Sequence, residues 1–209
     1  MALEGTHIKF ALAVKDKLGI KDMRQYLSGT IYPDSRYIAK TARNLTHAKE
    51  FLEKGFAADD FKKGWQVHLF CDEIQKDLAA KLINPLGKEI SQYDDLWISL
   101  TAVKILQEMR DLEGFQIRKY LKYLKAGDLP NGEDISDMER YYGFVRKFYD
   151  REEAPALDDY EKLWDFFGIP ARMGREVTLR CEKFQKDPAM AEKISDIHQE
   201  SVRIFKNNH

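Results

Sequence analysis

Apolar side chains recur along this chain at intervals of three and four residues, the period of an α-helix, nearly from end to end. Ile8, Ala11, Leu12 and Val14 fall on one face of a first helix that Gly19 closes. Asp22 suits the N-cap of a second helix over residues 23–28. Gly29 and Pro33 then interrupt the pattern, because a proline drives the residue before it, here Tyr32, toward extended backbone. Asn44 or Thr46 can cap a helix that runs through Phe51 and Leu52 to Gly55. Asp59 or Asp60 opens a long helix over 61–82, stopped by Asn84 and Pro85. Further helices are expected over 93–112, 115–125, 135–149, 158–167, 170–186 and 188–206. Pro170 and Pro188 fall in first turns, where the missing N–H is not needed. No run of strict alternation, hairpin signal or internal repeat breaks this period. The expected fold class is therefore all-α, a multi-helix bundle of eight to ten helices. Residues 1–209 read as a single helical domain. The breakers Pro130, Asn131 and Gly132 form a surface loop within it, or else set a C-terminal helical subdomain, 135–209, apart from 1–127.

Composition narrows the function classes. The chain has 209 residues, with 34 Lys+Arg against 35 Asp+Glu and a net charge of −1. A global basic field is absent, which excludes general nucleic-acid affinity and attraction to anionic lipid. A chain of this length buries roughly 70% of its unfolded surface and needs no disulfide or metal staple to fold. Cys71 and Cys181 make no disulfide framework. No apolar run approaches the ~20 residues of a transmembrane segment. The first residues lack a basic stretch followed by an apolar one. A reduced, cytoplasmic protein is the expectation.

Candidate chemistry lies with the histidines. His68 and Asp72 are four apart on a helix, so their Cβ atoms sit about 5–6 Å from each other on one face. A neutral imidazole and a carboxylate so placed can share a metal ion at ~2.0–2.2 Å, or simply form an ion pair on the helix face. His47 and His7 each follow a threonine at the start of a helix, and Asp34 occupies the Pro-Asp break. Metal sites in helical bundles are built from side chains that converge from several helices. Buried without a partner, these groups would be costly.

Thr6-His7 with Phe10-Ala11, Gly29-x-x-x-Pro33-Asp34, Thr46-His47 and Gly64-Trp65-x-x-His68-x-x-x-Asp72 occur in that order. The ordered set, over about residues 5–75, resembles the zinc-dependent phospholipase C family, which is related to the P1-type zinc nucleases. The resemblance implies an all-helical phosphoesterase fold with a zinc cluster in a cleft. It implies that Asp34, His47, His68 and Asp72 surround one zinc, and that His7 helps to bind a neighbouring one sharing an acid. Family members also carry a later histidine and a His-x-x-x-Glu pair. This chain has no histidine between residues 69 and 197, and the nearest echo of the pair is Lys104-x-x-x-Glu108. A protonated lysine cannot ligate. The expectation is one or two zinc ions, or another divalent metal, with the Lys104 ammonium in the electrostatic place of a third.

The activity so implied is hydrolysis of a phosphodiester or phosphomonoester by metal-activated water. Asp34 would act as ligand and general base, and Arg36 would contact phosphate or else form a surface ion pair. Trp65, Lys104 and Glu108 are candidate cleft residues, Trp65 being otherwise core packing. The expected partner is a small phosphate ester or a phospholipid headgroup. One alternative is a catalytically inactive helical scaffold that binds metal or a protein. Another is a different helical metal phosphohydrolase, although no adjacent His-Asp doublet is present. Cys71 reads as apolar filler, His198 as an exposed helical residue and His209 as a disordered terminus.

Overall fold

Two glycines allow a close helix crossing. In the computed structural model, which describes residues 3–53 and 55–209, α2 (Met23–Ile31) crosses α6 (Asp60–Ile83) at Gly29 and Gly64. A Cβ at Gly29 would lie 2.0 Å from the Phe61 carbonyl oxygen, and one at Gly64 would lie 2.0 Å from that of Tyr26. No other residue fits at either position. Gly29 therefore does not end α2, which continues through it to Ile31.

The remaining elements pack around this pair. α1 (Glu4–Val14) contacts α2, α6, α7 (Asp95–Leu112) and α12 (Pro188–Asn208). It is buried on most of its circumference rather than on one face: Ile8, Phe10, Ala11 and Val14 are inaccessible to solvent, and so is His7. It is a core helix that buries the polar Glu4, Thr6 and His7 along with its apolar side chains. The short helices α3 (Arg36–Ala39), α4 (Arg43–Thr46) and α5 (Glu50–Glu53) carry the chain from α2 to α6. After α7, the short α8 (Arg118–Leu121) leads to α9 (Ile135–Tyr149), which contacts α3. α10 (Tyr160–Phe167) and α11 (Ala171–Gln185) follow, with α11 against α7 and α12 against α6 and α7. No strand occurs among the described residues, so the fold is an all-α, multi-helix bundle. Among the described residues no helix is long and apolar enough to cross a membrane.

Several helix starts follow their caps. Asp22, Asp59, Asp94, Asp134 and Asp187 each accept backbone N–H bonds at the head of a helix. Three local expectations need correction. Tyr32 is helical (φ −49°, ψ −44°), not extended, and Pro33 sits inside a 3-10 turn, Tyr32–Ser35. Burial of the Tyr32 ring against Phe61 and Trp65 overrides the local preference. His47 does not start a helix but ends α4, with a break before α5. Residues 115–125 hold only the single turn of α8, and Arg118 there pairs with Asp150 at 3.0 Å.

Candidate metal centre

Five side chains from four segments meet at the α1, α2 and α6 junction. His7 projects from α1, Asp34 from the 3-10 turn after α2, His47 from the end of α4, and His68 and Asp72 from α6. His7 Nε2 lies 3.3 Å from Asp72 Oδ1. His47 Nε2 lies 3.6 Å from Asp72 Oδ2 and 4.0 Å from Asp34 Oδ1. His68 Nε2 lies 3.7 Å from Asp72 Oδ2. The His7 and His68 rings stack at 3.7 Å, and the His47 ring meets His68 edge-on at 5.4 Å.

Two overlapping triads result. His7, His68 and Asp72 form one; Asp34, His47 and His68 form the other; in each, the ligating atoms lie within 4.8 Å of one another. Their atoms are disposed for metal rather than for one another. The Nε2 atoms of His7, His47 and His68 and Asp34 Oδ1 are buried without a hydrogen-bond partner. Each such orphan costs about 1–3 kcal/mol unless something satisfies it, and imidazole nitrogens with carboxylates are the donor set of zinc and similar divalent ions. These residues fit a metal ion.

Outer contacts orient the His68 and His47 rings and fix the tautomer of His68. His68 Nδ1 lies 2.9 Å from the Thr30 carbonyl oxygen, so it donates there and its Nε2 keeps a lone pair. That contact depends on the glycine crossing that brings α2 against α6. His47 Nδ1 lies 2.8 Å from Thr46 Oγ1, which also lies 3.4 Å from the Arg43 carbonyl oxygen. Trp65 Nε1 donates to the Thr46 carbonyl at 2.7 Å. Trp65 is thus a core residue between Tyr32 and Phe51 that anchors the His47 segment, not a cleft wall.

Burial, followed by the nearby His7, holds the His68 imidazole well below its ordinary value, so it is neutral and able to ligate. Burial alone would raise the Asp72 carboxyl, but nearby positive charge together with the imidazoles of His68, His47 and His7 beside it holds it well below the usual carboxylate range. Asp34 moves the other way: burial and the charge of Asp72 raise it, against His47, His7 and Arg36. One acid is fixed as a carboxylate and the other takes a proton more readily.

Arg36 is half-buried, with its guanidinium 3.9 Å from the Tyr37 ring centroid and its Nε buried without a partner. It forms no surface ion pair among the described residues. Glu108 is fully buried rather than in a cleft, and accepts bonds from Thr6 N, Tyr149 Oη and Tyr160 Oη at 3.0, 2.8 and 3.1 Å. Burial pushes its carboxyl up to about 7. Lys104 lines a cavity beside the site; burial lowers its ammonium, while Asp72 and Asp34 counteract. His198 is buried and lies 3.6 Å from Asp111, so it neither completes the triads nor faces solvent. His209 is not a loose end: its ring lies 4.6 Å from that of Phe70. Cys71 is fully buried, as filler should be.

Glu4 was not singled out by spacing. It is buried behind the site, accepts from Tyr141 Oη at 3.2 Å, and is raised well above the usual range by burial and by the charges of Asp34 and Glu108. Its position three before His7, on the same helical face, is the signal that marks it.

Comparison with protein-family models, curated proteins and solved structures finds no match to this chain.

Proposed function

We propose that the chain is a metal-dependent phosphoesterase of the zinc phospholipase C and P1 nuclease type. The observation that carries the reading is the pair of triads sharing His68, made from the residues the ordered motifs single out. His7, His68 and Asp72 would hold one ion; Asp34 and His47, with His68, would hold a second or share the first. One or two zinc ions, or another divalent metal, would supply Lewis acidity to a phosphoryl oxygen and to water.

The chain's own residues have distinct parts. Asp34, buried and raised, accepts the proton of the attacking water. Asp72 stays ionised and balances the cationic centre. Arg36 offers an unpaired buried Nε beside Asp34 to a phosphoryl oxygen. Access is by a cavity of about 200 Å³ bordered by His47 and Asp72. The substrate is a phosphodiester or phosphomonoester, either a small phosphate ester or a phospholipid headgroup.

The test is metal content by mass spectrometry together with hydrolysis of bis(p-nitrophenyl) phosphate under zinc, manganese or nickel. One or two ions per chain are expected, with turnover, and both are lost in His68→Ala. A protein without metal, or with three ions, refutes the reading. Metal without turnover of any phosphoester identifies an inactive scaffold instead.

A further inference from the structure

A second cavity adjoins the metal centre and has its own chemistry. It measures about 490 Å³ and lies between α6 and α7. Arg43, Lys76, Lys88 and Lys104 line it, and no carboxylate does. Arg43 and Lys76 also line the smaller cavity that reaches His47 and Asp72, so the two are neighbours across these side chains. None of the four cationic groups forms an ion pair among the described residues. In a chain with net charge −1, this is a local concentration of positive charge, with Asp72 and Asp34 acting on Lys104 and with Asp72, Glu73 and Asp77 lining the smaller cavity beside Arg43 and Lys76. Charge gathered in a concavity with low-dielectric walls attracts anions strongly.

An independent feature points to a ligand there. Gln75 lines the same cavity, is only 3% exposed, and leaves both Nε2 and Oε1 without a hydrogen-bond partner. A buried amide unsatisfied at both ends is costly unless an occupant bonds to it. An anion with several acceptor oxygens and a hydroxyl would satisfy the amide and the cations together.

We propose that this cavity is a subsite for a second phosphoryl group, so that the enzyme acts on phosphoesters carrying more than one. The inference rests on the phosphoesterase reading of the neighbouring centre, but the subsite's own binding does not require metal. Lys88, from the segment between α6 and α7, and Lys104, from α7, hold the remote group; Arg43 and Lys76 lie between the two cavities.

Titration calorimetry of the metal-stripped, full-length protein with tripolyphosphate tests it. Binding is expected without metal, weakening with salt as charge contacts do. The double variant Lys88→Gln/Lys104→Gln should bind about tenfold or more weakly, and Gln75→Leu should also bind more weakly. Zinc content of both variants should equal that of the wild type. A control of equal charge change, Lys122→Gln/Lys125→Gln, should bind as the wild type does. No binding to the metal-free protein, or equal weakening in the control, overturns the subsite. If tripolyphosphate binds as described but the protein takes up no metal, the subsite stands and the phosphoesterase reading falls.

Discussion

The ring of His68 lies 3.7 Å from that of His7, centroid to centroid, with the planes inclined by only 16°. Two stacked imidazoles cannot both be protonated at that distance without strong repulsion. The His68 imidazole is accordingly held well below its ordinary value, first by burial and then by His7. His68 also belongs to both triads, whereas His7 and His47 belong to one each. His68→Ala should therefore remove all bound metal. His7→Ala should leave the ion held by Asp34, His47 and His68. Metal content of the purified variants checks this; equal loss in the two would show that the triads do not act separately.

Thr46 meets the candidate ligand set at His47, by the 2.8 Å contact between Oγ1 and Nδ1. Thr46→Val keeps the buried volume and removes the oxygen that orients the ring. Metal affinity should fall about 10–100-fold, as for other outer-shell substitutions. The melting temperature of the metal-free protein should move little. A chelator competition titration measures the first quantity and a thermal scan the second. Unchanged affinity would mean that ring packing alone orients His47.

Much of the fold was legible where caps and breakers agree with periodicity. The helix expected over 135–149 is found at Ile135–Tyr149, with Asp134 as its cap. His7, Asp34, His47, His68 and Asp72 were marked by residue type and order, and the fold brings them together. What escaped depends on long-range contact. Residues 115–125 carry helical spacing, yet Ile117, Leu121 and Leu124 are buried from a chain that turns rather than coils. Tyr32 is helical because its ring is held by distant aromatics. The cationic cavity is assembled from residues as far apart as Arg43 and Lys104 and leaves no local pattern to read.

Gly64 and Gly143 are both helical but should respond oppositely to alanine. At Gly64 the new Cβ would lie 2.0 Å from the Tyr26 carbonyl oxygen and 2.8 Å from Thr30 N, both backbone atoms that cannot rotate away. Separating α2 from α6 would cost ~3 kcal/mol or more, and it would withdraw the Thr30 carbonyl from His68. At Gly143 the nearest atom is Arg146 Nη2 at 3.9 Å. Alanine there should stabilise α9 by about 0.5–1 kcal/mol. Urea unfolding of the two variants decides the matter. A neutral Gly64→Ala would show that the helices can part without loss.

Glu108 makes the stability of the metal-free protein depend on pH in an unusual direction. Its carboxyl is raised from 4.5 to about 7, chiefly by burial, with the hydrogen bonds from Tyr149, Thr6 and Tyr160 opposing. The folded state therefore holds this proton more tightly than the unfolded state. The contribution is fully present below pH 4.5 and is lost as pH rises through about 7. Its whole span is on the order of 3 kcal/mol, at about 1.4 kcal/mol per unit of pKa. Glu4, raised by burial and by the charges of Asp34 and Glu108, acts in the same direction. Glu108→Gln removes the titration. Its amide oxygen can still accept from the tyrosines, but its NH₂ faces the Thr6 N–H and costs about 1–3 kcal/mol at any pH. The comparison that matters is thus the difference between variant and wild type at two pH values. From pH 5 to pH 8 that difference should shift in favour of the variant, by up to roughly 3 kcal/mol in urea unfolding. A difference that stays constant over this range would mean that Glu108 is already ionised at pH 5 in the fold, and that the three hydrogen bonds outweigh its burial.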